Sequence, residues 1–183
     1  MLLDTPICDF GWKAPDFVLN DPSGRSFRMS DHLGEKGLLV AFICNHCPYV
    51  KAIADRLAAD TAALMVDGIN VLAVMSNDYR AVPADAPAEM QAFAARHGFT
   101  FPYLVDEDQA VGRAWGAVCT PDFFGLNRDG ALQYRGRLDD TRMGGDATAR
   151  TPELLDAMRM IAASGKGPSQ QVASMGCSIK WAA

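Results

Sequence analysis

The sequence predicts a single α/β domain built on one mixed sheet with helices on both faces. Three observations carry that expectation. Two continuous apolar runs, GLLVAFIC (37–44) and INVLAVMS (69–76), have the length and composition of strands covered on both sides. Between them the period changes, with Val50, Ile53, Leu57 and Leu64 recurring at helical spacing. Finally, 183 residues, 49% of them hydrophobic, suffice for one buried core without covalent staples.

The elements follow in order. Residues 14–31 alternate short β-prone pieces around Asp21-Pro22-Ser23-Gly24, a turn composition, and predict a hairpin. The first strand (37–44) hands over to a helix that opens at Pro48 and stops at Gly68, followed by the second strand (69–76). Residues 77–86 are polar and proline-rich and read as a loop. A helix from Pro87 places Met90, Phe93 and His97 on one side and ends at Gly98. FTFPYLV (99–105) reads as a strand interrupted or edged by Pro102. Asp106 and Asp108 open a short helix through Trp115, with Gly116 at its end. DFFGLN and ALQYRGRL flank Arg128-Asp129-Gly130 as an antiparallel hairpin. Thr151-Pro152-Glu153 supplies a cap, a first-turn proline and an acid for a last helix that turns Leu154, Leu155, Met158 and Ile161 inward. The expected organisation is one domain: a hairpin extension over 1–36, a core over 37–165 and a Gly-, Ser- and Pro-rich tail over 166–183. Strands alternating with helices and closing in a hairpin and helix imply the mixed sheet.

Composition narrows the function classes. Seventeen Lys and Arg against twenty-two Asp and Glu give a formal charge of −5, which disfavours nucleic acid or an anionic membrane as the main partner. No apolar stretch reaches the ~20 residues of a membrane span. The opening MLLDTPICDFGWK lacks a basic stretch and puts Asp4 where an apolar one would run, so no cleaved signal peptide is expected and the chain reads as cytoplasmic. In that compartment disulfides are usually catalytic. The odd number of cysteines (Cys8, Cys44, Cys47, Cys119, Cys177) also argues against a structural framework.

The chemistry centres on CNHC, residues 44–47. A strand-to-helix junction offers unpaired N–H groups and roughly half a positive charge, which favour thiolate over thiol. Free thiols titrate near ~8.5, whereas CxxC cysteines at helix starts fall to ~3.5–7.5. The second sulfur is close enough to resolve a mixed disulfide. His46, if charged, further favours the thiolate. Lys51 reads as a solvated first-turn lysine. Pro48 disfavours α geometry at Cys47, so the helix begins near Pro48 and Cys47 lies nearer the positive end.

The set CNHCPYVK, VCTPDFF, YRGRLDD, GCSIKW and APDFVLND resembles the thioredoxin-like superfamily, in its redoxin or AhpC/TSA-type branch, over nearly the whole chain. The resemblance implies a thioredoxin-like fold with Cys44 as the attacking cysteine, Cys47 as the resolving one, and Pro121 as a cis-proline whose neighbour Thr120 orients an extended substrate. It implies thiol-disulfide exchange with a disulfide-containing client and an external thiol reductant or oxidant, and no cofactor beyond the reversible Cys44–Cys47 disulfide. Two departures stand out: no tryptophan precedes Cys44, and position 38, a buried acid in thioredoxin proper, is Leu38.

Alternatives remain open at this stage. A thiol peroxidase using Cys44 would want a hydroxyl three residues earlier, where Ala41 stands. A metal-binding or partner-docking module would draw on Cys44, His46 and Cys47, completed by Cys119, Cys177 or His97, but no second paired ligand cluster exists and no metal is expected. Cys119 reads as a buried strand thiol, Cys177 as an exposed thiol able to act as a shuttle, and Arg137 as a partner of Asp139 or Asp140. With His46 favouring the reduced form, the pair should be more oxidising than thioredoxin's ~ −270 mV.

Overall fold

The computed structural model describes residues 1–183. In chain order its elements are β1 (Leu2–Asp4), β2 (Val18–Asn20), β3 (Ser26–Arg28), β4 (Leu38–Phe42), α1 (Pro48–Val66), β5 (Asn70–Met75), α2 (Pro87–His97), β6 (Tyr103–Val105), α3 (Ala110–Trp115), β7 (Cys119–Thr120), β8 (Asp122–Leu126), β9 (Leu132–Tyr134), α4 (Glu153–Ser164) and β10 (Met175–Ser178). Seven strands form one sheet in the order β3-β2-β6-β5-β4-β8-β9, with β4, β5 and β6 parallel and the rest antiparallel. A second, three-stranded ribbon runs β1-β10-β7.

The apolar run of β4 is explained by its two faces. Leu38, Val40 and Phe42 pack with Trp115, Phe124 and Leu126 on the α3 side. Leu39, Ala41 and Ile43 pack with α1, α2 and α4 on the other. Every β4 side chain is therefore covered, and the two-residue alternation of a half-solvated strand is absent. No helix is long and apolar enough to cross a membrane.

Several elements differ from the sequence reading for identifiable reasons. β6 begins only at Tyr103, because Pro102 has no N–H to give; its carbonyl accepts the Ala73 N–H at 2.9 Å. Asp106 does not open α3 but lies buried beside it, accepting the Val111 and Gly112 N–H groups at 3.2 and 2.8 Å. α4 starts one residue later than a Thr151 cap would set it: Pro152 is the N-cap, no side chain caps it, and the Thr151 N–H donates to Asp140. Arg137 makes its ion pair with Glu153, both bonds at 2.8 Å, because Asp139 is held by Arg56 and Arg150. The polar stretch 77–86 carries a 3-10 turn, Pro83–Asp85, that drives Asp85 fully inside. The largest difference lies in the segment expected as a tail. Its residues Met175–Ser178 form β10, paired between the chain's own first strand and β7, so that Cys177 is half-buried rather than exposed.

Candidate active site

β4 ends at Phe42, and α1 starts at Pro48, so the five residues between them form a connection at the carboxyl edge of the sheet. Pro48 occupies the first helical turn and Cys47, with extended backbone (φ −67°, ψ 123°), is the N-cap. Cys47, rather than Cys44, thus stands at the positive end of the helix. Both cysteines are buried, Cys44 at 1% and Cys47 at 0% exposure. All five cysteines are thiols.

The Thr120–Pro121 peptide is cis and closes over the pair. Thr120 Oγ1 lies 3.2 Å from Cys44 Sγ, and the Thr120 carbonyl lies 3.2 Å from Cys47 Sγ. The sequence-selected Cys44, Cys47, His46, Thr120 and Pro121 are therefore brought together. Cys177 joins them: it lies opposite Thr120 on β10 and packs against the apolar cluster that holds Cys44 and Cys47. Cys119 is buried on the same ribbon, its Sγ directed at the Pro121 carbonyl 3.7 Å away, and burial pushes its thiol up to about 12. Cys8 is likewise pushed up to about 11 by burial.

Donors and acceptors at the two sulfurs decide which holds a charge. Cys47 is lowered to about 4, first by the neighbouring Cys44 thiol and then, against burial, by Cys177 and the backbone at the start of α1. The Thr120 carbonyl is the one contact that suits a protonated Cys47. The helix N-terminus and the neighbouring thiols both favour the anion on Cys47 over Cys44. Cys44 is shifted the other way, above the ordinary thiol range, by donating to Cys47, by burial, and by the charge of Asp85. The order of attack that Pro48 leaves open in the sequence concerns this same asymmetry. The physical reason is the start of α1 at Pro48.

Asp85 is the functional residue that sequence reasoning missed. It is 0% exposed and accepts from the backbone N–H groups of Asn45 (2.8 Å) and His46 (3.2 Å), from His46 Nδ1 (2.6 Å) and from Asn77 Nδ2 (2.8 Å). The same His46 nitrogen lies 3.6 Å from Cys44 Sγ. Tyr103 completes the support with a bond to Asn45 Oδ1 at 2.9 Å. The only signal in the sequence was a lone acid in a Pro- and Ala-rich stretch, PADAP, which marks no chemistry. Cys44, His46 and Asp85 present three ligand atoms within 4.8 Å of one another, one fewer than a closed tetrahedral zinc site takes. His97, a ligand candidate from the sequence, is instead bonded to Asp55 at 2.8 Å.

Comparison with known proteins places this site in context. A protein of Sinorhizobium meliloti 1021 described as hypothetical has the same structure over 98% of each chain, at 39% identity and a TM-score of 0.89. A secreted Mycobacterium tuberculosis disulfide oxidoreductase, 20% identical over 81% of this chain and 95% of its own, shares the thioredoxin-like fold at a TM-score of 0.58. The thiol-disulfide oxidoreductase ResA of Geobacillus thermodenitrificans is 28% identical over 123 residues, 67% of this chain and 66% of that protein. The pattern of the AhpC/TSA family matches residues 10–135, a span that runs from the β2–β3 hairpin through both cysteines and the Thr120–Pro121 bend to the end of β9, and the chain belongs to that family.

Proposed function

We propose that the protein is a thiol-disulfide oxidoreductase whose redox group is the Cys44–Cys47 pair, with no other cofactor. The observation that carries this reading is the placement of the pair: two buried cysteines at a strand-to-helix junction, Cys47 at the helix N-cap, both within 3.2 Å of Thr120 at the Thr120–Pro121 bend. Such a pair exchanges readily, because the thiolate attacks or leaves and its neighbour closes or opens the internal disulfide. Stabilising Cys47 as an anion stabilises the reduced protein, so the pair accepts electrons more readily than thioredoxin's does. A cleft of about 720 Å³, bordered by Tyr49, Ile53, Pro121 and Met175 and by Arg56 and Arg142, gives a client an approach of mixed apolar and charged character beside the bend.

The test is a titration in glutathione buffers with disulfides mapped by mass. A Cys44–Cys47 disulfide forming in a single two-electron step, with a potential above ~ −270 mV, is expected. A pair that stays reduced in every buffer ends the reading.

Peroxide reduction is the second reading, favoured by the family and by the low-lying Cys47 thiolate. The hydroxyl that would hold a peroxide is missing by either count: three residues before Cys44 stands Ala41, and three before Cys47 stands Cys44 itself. Disulfide exchange without peroxide consumption is therefore expected of the wild-type protein. Peroxide turnover lost in Cys47→Ser would instead favour the second reading.

A further inference from the structure

β7 is a two-residue strand lying against the sulfurs, and such an edge is where an extended peptide would add to the fold. Here the chain fills that edge itself. β10 runs antiparallel to β7, with Cys177 opposite Thr120 and Ser178 opposite Cys119. Gly176 makes this approach feasible: a Cβ at that position would stand 1.8 Å from the Thr120 carbonyl oxygen and 2.5 Å from its carbon. Just before the strand, Ser174 pins the segment by donating to the Pro121 carbonyl at 2.8 Å. The result is a cysteine opposite Thr120, whose own atoms lie 3.2 Å from both sulfurs, packed against the cluster that holds Cys44 and Cys47. Cys44 and Cys47 are sealed from solvent, whereas Cys177 is half-buried.

We propose that Cys177 is a third redox thiol, through which a disulfide passes between the buried pair and a client. In the oxidised protein the Cys177 thiolate attacks Cys47 Sγ. The Cys44–Cys47 bond breaks, a Cys47–Cys177 bond forms, and Cys44 leaves with the electron pair and takes up the proton that Cys177 lost. No oxidant is consumed, because one disulfide is exchanged for another. A client thiolate then attacks Cys177 Sγ and expels Cys47 as a thiolate; a second client thiol attacks its own sulfur in the mixed disulfide and frees Cys177. The client gains the disulfide and the protein ends with three reduced sulfurs.

The electrostatics suit this order. In the reduced protein burial, and then the neighbouring Cys47, hold the Cys177 thiol above its ordinary range. Once Cys47 is bound in a disulfide that charge is gone, while Lys180, which favours a thiolate at 177, remains. Oxidation of the pair thus activates the next sulfur in line.

The inference rests on the redox reading of Cys44 and Cys47, and the experiment separates the two. The wild-type, Cys44→Ser and Cys177→Ser chains are treated with oxidised glutathione, acid-quenched, alkylated and mapped by mass. Cys44→Ser should form an intramolecular Cys47–Cys177 disulfide. Cys177→Ser should still form Cys44–Cys47 but exchange with the disulfides and thiols of a protein client, insulin, at least about tenfold more slowly. Should Cys44→Ser fail to fold, the Cys47–Cys177 peptide is sought in the oxidised wild type. Recovery of Cys177 as a free thiol in every oxidised form, or an unchanged rate in Cys177→Ser, overturns the relay and leaves the pair intact; absence of Cys44–Cys47 from the wild type overturns the reading beneath it.

Discussion

Four hydrogen-bond donors converge on the Asp85 carboxylate, and two of them are backbone N–H groups of the loop that carries the cysteines. Replacing it with alanine leaves those donors buried without a partner, at about 1–3 kcal/mol for each orphaned group. We expect Asp85→Ala to lose roughly 3 kcal/mol in urea denaturation, and Asp85→Asn, which keeps an acceptor, to lose less. At Cys47 the expectation concerns charge. Thiolate absorbance in the reduced protein should persist down to about pH 4, vanish in Cys47→Ser, and move up in Cys44→Ala, which removes the first of its donors. The sign of the linked stability follows. The folded Cys47 titrates below the 9.0 of a free thiol, so its contribution is complete above about pH 9 and disappears as pH falls through about 4. The stability advantage of reduced wild type over Cys47→Ser should therefore grow with pH across that window, measured by urea titration at several pH values. Both cysteines were legible in the sequence, but the division of labour between them was not. It depends on where α1 begins, on Cys177 arriving from 130 residues away, and on an aspartate whose burial a polar loop conceals.

At the level of elements, strands and helices with a strong local signal were read correctly, while short pieces defined by distant partners were not. β4, α1, β5 and α2 carry continuous or periodic apolar patterns, and proline or glycine marks three of their boundaries at Pro48, Pro87 and Gly98. β1, β7 and β10 are two to four residues long, and only pairing across the whole length of the chain makes them strands. Propensity in a Gly-, Ser- and Pro-rich stretch cannot show that. The GCS of residues 176–178 can pair with β7 because Gly176, next to the Cys177 that faces Thr120, has no Cβ to strike the Thr120 carbonyl. Gly176→Ala should push β10 away from β7, as its methyl group would overlap the Thr120 carbonyl. The expected outcome is a loss of about 2 kcal/mol or more together with faster alkylation of Cys44 and Cys47, which the strand now covers. Unchanged alkylation would show that β10 does not seal the pair.

For the molecule as a whole, the sheet does the positioning and the ribbon finishes the site. β4 brings one end of the redox loop and β8, antiparallel beside it with Phe42 opposite Asp122, brings the Thr120–Pro121 bend to the same edge. Asp122 is fully buried and bound by Arg135 at 2.9 Å, an ion pair that anchors the start of β8 under the bend. Removing one partner of such a pair costs about 3–5 kcal/mol, since the other charge is stranded. Arg135→Met should accordingly lower the denaturation midpoint sharply, whereas the exposed Arg80–Glu107 pair should be dispensable within about 1 kcal/mol. The β1–β10 pairing has a wider consequence. Leu2 sits opposite Cys177 and Asp4 opposite Met175, so the front and back of the polypeptide are stitched together directly over the sulfurs. Deletion of residues 2–4, or substitutions that break their pairing, would loosen the stitch and be felt at once as altered thiol reactivity. Recombinant forms differing only at their first few positions would then behave as different redox proteins.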